Sequence, residues 1–379
     1  MTVHRCRTLG ALISAGAVLA LVVSGCTPSV STTAPTDPFA QPIVPRAATN
    51  PVVHDEAQSG TLGAGEPRTG RGVVRTAVIE GAQLPEAVSE AFRADTGFEL
   101  QVTQGVRVSE LTAQSFDVVV GLDPTDAQLM AAAGTIGTQA PEDAVAIEDK
   151  GVDGVPAAIA YGRDDVCVVA DAVWISANRV AVPAGLDDLI KTSYASQLVI
   201  PDPSTSSIGR AFIQGVAQAK GGDASAWEGS VKKEGVQVVA SADEAIAGWS
   251  ARASAGAGMP FVVAPRSTLS LVLANTGVES AGVAAETTCV QRYLYAAGVA
   301  GEGEEYSDGA ESLMAWLQGW QAQRQLAQLG AVDPLDLGAS QDSAAQWFLT
   351  PGEGAIVLGD WSPEVSRAAV KTWVEAVSQ

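Results

Sequence analysis

Residues 198–209 read LVIPDPSTSSIG and run on, through residues 210–219, into RAFIQGVAQA. An apolar strand ends in the rigid turn Pro201-Asp202-Pro203, and hydroxyl side chains and a glycine open a helix. The first N–H groups of a helix have no intrahelical partner, and the helix dipole favours negative charge there. Ser204, Thr205, Ser206 and Ser207 add hydroxyl donors, so the stretch fits an anion. It also fits a helix whose first turn is merely capped by Ser204 or Thr205. On either reading it is a strand feeding a helix, the unit from which α/β folds are built.

The same unit recurs outward from this stretch. Val73–Ile79 reads as a strand and Pro85–Phe92 as a helix, with Val88, Ala91 and Phe92 on one face and Gly97 as its stop. Phe98, Leu100 and Val102 alternate as in a half-buried strand, and Asp117–Leu122 is an apolar run before a helix at Thr125–Ala133. That order is the signature of an open, mostly parallel sheet. Further strands are expected at Asp165–Ala170, Leu198–Ile200, Val236–Val239 and Phe261–Val263, and a long one at Cys289–Val299. Helices are expected at Ser312–Leu329 and at Pro363–Val377, the latter presenting Val370, Trp373, Val374 and Val377.

Before this body lie two segments of different character. Arg5 and Arg7 precede the apolar run Leu9–Val23, which stops at Val23-Ser24-Gly25-Cys26. So short a run followed by small residues reads as a cleaved signal over residues 1–25. The small-residue box ending in cysteine resembles the bacterial lipobox, which implies lipidation of Cys26 and a chain anchored at the outer face of the cell membrane. Residues 26–71 are dense in Pro, Thr, Ser, Ala and Gly and form a flexible tether.

Composition closes off several classes of function. The 379 residues carry 22 Lys+Arg against 43 Asp+Glu, a net charge of −21, which removal of a signal holding two arginines and no acids takes to about −23. Nucleic-acid binding needs clustered cations and is not expected. The acidity reads as solubility outside the cell. Four cysteines are too few for a disulfide scaffold, and the only histidines are His4 and His54, both outside the body. There is no G-x-S-x-G, P-loop or dinucleotide fingerprint, and the adjacent pairs Asp164-Asp165 and Asp187-Asp188 point apart rather than converge. No enzyme activity, cofactor or metal is expected, and Glu302, Glu304 and Glu305 read as a solvated loop.

Four blocks, DVVVGLDPTDAQL, AYGRDDVCVVAD, GLDDLIKTSYASQLVIPDPSTSSIGRAF and TTCVQRYLYAAGV, stand in an order and spacing that resemble the extracellular solute-binding proteins of ABC importers. The similarity is to the thiamine-binding branch with its iron-binding relatives and runs from about Gly72 to Gln379. It implies a two-lobed, type II periplasmic-binding-protein-like α/β fold with a hinge and mixed β-sheets flanked by helices. Lobe one would combine residues 72–160 with 293–379, and lobe two would be residues 161–292. The ligand would sit in the cleft, drive closure of a monomer, and be handed to ABC permease subunits.

Carried over by position, Asp123 faces the cleft and suits a cationic thiazolium, though it equally suits a cap for the following helix. Ser206 and Ser207 match hydroxyls at the helix start, and Tyr161 matches a hinge-entry tyrosine that reads as packing more than as ligand contact. Three departures bear on the ligand. The Tyr-x-x-Asp-Ser-Phe-like stretch of thiamine-binding members is replaced by Thr76-Ala77-Val78-Ile79-Glu80-Gly81, the Gly-Trp-x-x-Ala-Tyr stretch by Ser241–Ile246, and the Ser-Tyr-x-x-Ser stretch by Ala264-Pro265-Arg266-Ser267-Thr268. The aromatic faces that hold a flat cation are therefore missing. Arg266 would instead attract a carboxylate or phosphate. The adjacent tyrosines of the iron branch are absent too, with Tyr293 and Tyr295 as strand-spaced substitutes.

With Cys6 in the signal and Cys26 lipidated, Cys167 and Cys289 remain, each opening a strand that the family places at the hinge. A disulfide between them is expected in an exported chain. The reading is a membrane-tethered binding protein for a small molecule, thiamine-like or bearing an anionic group, that feeds an ABC permease. The alternative is an accessory, partner-binding surface lipoprotein that has kept the fold and lost the small-molecule site. A cleft packed shut by Ile208 and Ile246 would favour the second.

Overall fold

The computed structural model describes residues 62, 64, 66–112, 115–252, 258–273, 280–299, 305–341, 343, 349–352 and 354–378. The expected signal, Cys26 and its lipid, and most of the tether lie outside these residues.

The chain opens with β1 (Gly72–Ile79), α1 (Glu86–Thr96), β2 (Phe98–Val106), β3 (Val118–Leu122), α2 (Pro124–Ala132) and β4 (Ala158–Arg163). Helix α1 ends as its sequence requires: Gly97 adopts φ 84°, and its N–H closes on the carbonyl of Arg93. The second stretch comprises β5 (Val166–Asp171), α3 (Ala172–Asn178), α4 (Leu186–Leu189), α5 (Thr192–Ala195), β6 (Leu198–Pro201), α6 (Ser207–Lys220), α7 (Ala224–Lys233), β7 (Gln237–Val239), α8 (Ala242–Ala247), β8 (Phe261–Pro265) and β9 (Gly282–Val290). The last comprises β10 (Tyr293–Gly298), α9 (Asp308–Gln318), α10 (Trp320–Gln328), β11 (Asp333–Pro334) and α11 (Pro363–Val377).

These strands form two sheets, one in each lobe. The first has the order β11-β4-β10-β3-β1-β2 and the second β7-β6-β8-β5-β9. In lobe one β1 runs parallel to β2 and β3, while β10 is antiparallel to both β3 and β4. In lobe two β6 is parallel to β7 and β8, and β5 is antiparallel to β8 and β9. Both sheets are mixed because the strands that carry the chain between lobes return against the local direction. Helices cover both faces, so each strand buries alternate residues in two cores. On β1, Val78 packs with Phe92, Leu294 and Trp316, while Ile79 packs with Leu122, Met130 and Tyr295. On β5, Val168 packs with Phe212 and Trp373, while Val169 packs with Trp249.

The sulfurs of Cys167 and Cys289 are bonded, tying β5 to β9 across a sequence separation of 122 residues. The pairing anticipated from the sequence is thus present, on the face of the second sheet that buries Trp249.

Five local expectations are corrected. The long strand at Cys289–Val299 is two strands in different sheets, broken at Gln291-Arg292, where the chain crosses between lobes. The single helix at Ser312–Leu329 is α9 and α10, interrupted by Gly319, whose backbone is extended at φ −72° and ψ 151°. Helix α11 buries Ser366, Ala369, Trp373 and Ala376 and exposes Val374, so its inward stripe is rotated from the expected one. That stripe packs mainly on α6 and α7 of lobe two, with a smaller contact to α2 of lobe one. The C-terminal segment therefore does not follow β10: Leu349 also belongs to a lobe-two core, and Ile356 exchanges backbone hydrogen bonds with Cys289 and Gln291. At the other boundary β4 stays in the first sheet to Arg163, which leaves Tyr161 in the core of lobe one.

Candidate functional site between the lobes

The turn after β6 is organised by Asp202, whose side chain accepts from the N–H of Ser204 and whose carbonyl accepts from the N–H groups of Thr205 and Ser206. Ser204 and Thr205 are exposed, and the Thr205 hydroxyl donates to the carbonyl of Ala240 at 2.8 Å. The helix cap is Ser206, one residue after Thr205 and two after Ser204, accepting from the N–H of Gly209 at 3.3 Å. Gly209 is required here because a Cβ would collide with the Pro201 carbonyl, so close does α6 lie to the end of β6.

Ser206 and Ser207 are buried because lobe one covers them. The N–H of Ser207 donates to Glu80 Oε1 at 3.0 Å, and the N–H of Ala242 donates to Glu80 Oε2 at 3.3 Å. The Ser206 hydroxyl also hydrogen-bonds this carboxylate, whose pKa burial raises above its ordinary value against the lowering effect of these donors. Next to it Gly81 has φ +75°, and a Cβ there would lie 2.6 Å from Cγ1 of Ile208.

Asp123 caps α2, accepting from the N–H of Asp126 at 2.7 Å. It is fully buried, and its other oxygen lies 3.4 Å from the guanidinium of Arg210, which also pairs with Asp126. Burial, with Asp126 alongside, pushes the Asp123 carboxyl up to about 6. Asp123 therefore caps α2, and its charge is met by Arg210 of the other lobe. Tyr161 is packed in lobe one, its hydroxyl bonded to the N–H of Gly121 and its carbonyl to Gln323. Arg266 is held within lobe two by both oxygens of Glu286, each at 2.6 Å. Asp123, Ser206 and Ser207 thus meet at the seam, whereas Arg266 is engaged elsewhere.

The crossings between lobes carry a second polar cluster. Asp164 accepts from the N–H and hydroxyl of Ser267 at 2.8 and 2.7 Å, and Gln83 of lobe one reaches the same hydroxyl at 3.3 Å. Asp165 turns the other way, onto Arg163. Arg292 is wholly buried, and its Nε donates to the Asp164 carbonyl at 3.0 Å. Its two terminal nitrogens have no hydrogen-bond partner among the described residues, and the Asp164 carboxylate lies 3.8 Å away. Burial raises the Asp164 carboxyl to about 6 in spite of that arginine. The Arg292 charge also acts on Asp123 and on the Tyr161 hydroxyl, which places it by the seam.

Beside the hinge, on the α2 side, is a cavity of about 750 Å³ lined in part by Gln128, Asp149, Asp153, Tyr293, Tyr295 and Trp361. The Lys150 ammonium sits 5.4 Å from the centre of the Tyr293 ring. The two strand-spaced tyrosines therefore face one cavity in an acidic, aromatic setting suited to a cation.

Glu80, Arg210 and Arg292 were not singled out from the sequence. Each had a local sign: Glu80 and Arg292 are charges at the ends of apolar strands, and Arg210 lies in the first turn of a helix whose start was already of interest.

No family model and no curated protein matches the chain. Solved structures do match. A periplasmic thiamin binding protein is 18% identical with a TM-score of 0.62, covering 83% of this chain and 99% of its own. Iron-bound HitA from Pseudomonas aeruginosa is 16% identical with a TM-score of 0.60, covering 80% and 99%. The periplasmic binding protein AfuA from Actinobacillus pleuropneumoniae, with fructose-6-phosphate bound, is 12% identical with a TM-score of 0.61, covering 80% and 98%. The chain has the two-lobed periplasmic-binding-protein fold.

Proposed function

We propose that the chain is an exported solute-binding protein that captures a small molecule bearing an anionic group between its lobes and presents it to an ABC permease. The observation that carries this reading is Arg292. A buried guanidinium with unpartnered terminal nitrogens is costly, because desolvation is not offset by hydrogen bonds. The Asp164 carboxylate, held by Ser267, stays 3.8 Å from the fork, beyond hydrogen-bonding distance, and does not complete it. A carboxylate or phosphate supplies two parallel acceptors to such a fork and a neutralising charge. Asp123, Ser206 and Ser207 would shape the rest of the seam, with Arg266 held by Glu286. Closure on the solute would give the form that docks on the permease, with Cys26 as the lipid anchor, the tether as spacer and a monomeric body. The body's lack of histidine supports a binding role rather than catalysis.

The likeness to a protein with fructose-6-phosphate bound supports an anionic solute. A thiamine-like ligand finds Asp123 already paired, and its cationic ring suits the hinge-side cavity with Tyr293, Tyr295 and Trp361 better than the seam. The tight fit of Ile208 on Gly81 favours a second reading, the accessory lipoprotein that has kept the fold and binds a partner.

A thermal-shift panel of the folded chain against organic phosphates, carboxylates, thiamine and thiamine phosphate, polyamines and ferric citrate tests these readings. A solute at about a thousand times its Kd adds about 4 kcal/mol of stability. Shifts with anionic solutes, and with thiamine phosphate above thiamine, are expected. Shifts with cations alone would move the ligand to the hinge-side cavity, and silence across the panel would favour the partner-binding reading.

A further inference from the structure

The seam holds a carboxylate of the chain itself where the sequence placed an anion. Glu80 follows β1 in lobe one, is 1% exposed, and accepts from Ser207 and Ala242 and from the Ser206 hydroxyl, all in lobe two. Ser206 and Ser207 stand at the start of α6, a helix of 14 residues whose dipole favours negative charge at that end, and Ala242 opens α8 beside it. The approach is not incidental. Gly81, in a left-handed conformation and without a Cβ, lets the end of β1 lie against Ile208. Its N–H is bonded to the Asp243 carboxylate of lobe two, and Arg210 reaches back to Asp123 and Asp126 of lobe one. With Gln83 on Ser267, these polar contacts cross the seam without a solute; within the Arg210 set, Arg210 Nε and one Asp126 oxygen keep no hydrogen-bond partner among the described residues. The Glu80 contacts share no atom with Arg292, so they stand apart from the proposal for the solute.

We propose that Glu80 is a built-in surrogate ligand: carried on lobe one, its carboxylate fills the donor cradle at the start of α6 in lobe two and holds the lobes closed when no solute is bound. A protein so built rests closed. A solute anion that sought the α6 cradle would have to displace Glu80, whereas at Arg292 the nearest carboxylate, Asp164, lies 3.8 Å from the fork and leaves its terminal nitrogens without hydrogen bonds.

The test is hydrogen exchange on the full chain with no solute added, following the peptides that contain Ser207 and Ala242. In the wild type both amides are expected to exchange slowly. Hydrogen bonds to a charged acceptor are the stronger kind, so Glu80→Ala is expected to speed exchange at both by at least about tenfold, with β1 residues 74–78 unchanged. Formate, supplying the deleted group, is expected to restore slow exchange in Glu80→Ala and to leave the wild type as it was. Should Glu80→Ala fold poorly, Glu80→Gln keeps the shape and is expected to give intermediate exchange. A wild type that exchanges at both amides as fast as the variants, variants as protected as the wild type, or a fast-exchanging Glu80→Ala indifferent to formate would each overturn the proposal. Because no solute is present, none of these outcomes bears on the solute panel.

Discussion

Replacing Glu228 with glutamine is expected to stabilise the protein at pH 8 and to do much less at pH 5. Glu228 lies on α7, wholly buried, with neither carboxylate oxygen hydrogen-bonded among the described residues. Desolvation alone raises its pKa from 4.5 to about 7. The native state therefore binds this proton more tightly than the unfolded state, so its contribution is full below 4.5 and is lost as pH rises through 7. At about 1.4 kcal/mol per pH unit, the ionised form is disfavoured by about 3 kcal/mol, most of which is incurred between pH 5 and 8. Glutamine keeps the volume and the unmet polar atoms but cannot ionise, so whatever the amide costs is the same at both pH values. The difference between the two pH values is the measured quantity, and it corresponds to roughly 5 °C in midpoint for a body of this size. Thermal unfolding of wild type and Glu228→Gln at pH 5 and pH 8 reads it directly. A variant whose effect is the same at both pH values would refute the reasoning and show that Glu228 reaches water or a partner in solution.

Other consequences follow from the packing and the charges. Removing the Cys167–Cys289 bond, as Cys167→Ala with Cys289→Ala, is expected to lower stability by up to about 5 kcal/mol from loop entropy over the 122-residue separation, read as a lower urea midpoint; an unchanged midpoint would contradict it. Gly81→Ala combines a left-handed φ with a collision on Ile208 and is expected to cost about 1–3 kcal/mol in the same assay. Trp373→Ala is expected to cost about 3–5 kcal/mol and to speed hydrogen exchange in α6 and α7 before any part of the first sheet, whereas loosening confined to lobe one would return α11 to that lobe.

Much of the fold was legible because its signals are local. Val118–Leu122 is a fully buried run that only a covered strand explains, and Gly97 and Pro85 bracket α1. Where a local signal was ambiguous the reading slipped. Gly319 sits within an otherwise helical apolar pattern, and TTCVQRYLYAAGV reads as one strand unless Gln291-Arg292 is recognised as a crossing. The destination of α11 was not legible, since which lobe receives Trp373 depends on packing partners far along the chain. The candidate site divides the same way. The hydroxyls at Ser206 and Ser207 announce a helix start, but Glu80 is 127 residues from Ser207, and Arg210 is 87 from Asp123. Charge partners at such separations are set by tertiary contact, so a sequence shows the charged residue and not what it meets. Arg266 shows the cost of that: its type suited an anion, and Glu286 already holds it.

The most direct test of the account is the affinity of the tightest-binding anionic solute from the panel, measured by calorimetry for wild type, Arg292→Gln and Arg266→Gln. Loss of a bidentate, charge-assisted contact is expected to weaken binding by about ten- to a hundredfold in Arg292→Gln. Arg266→Gln is expected to stay within a fewfold of wild type, because its partner is Glu286. A large loss in Arg266→Gln with Arg292→Gln unaffected would contradict the account and return the solute to the position first read from the sequence.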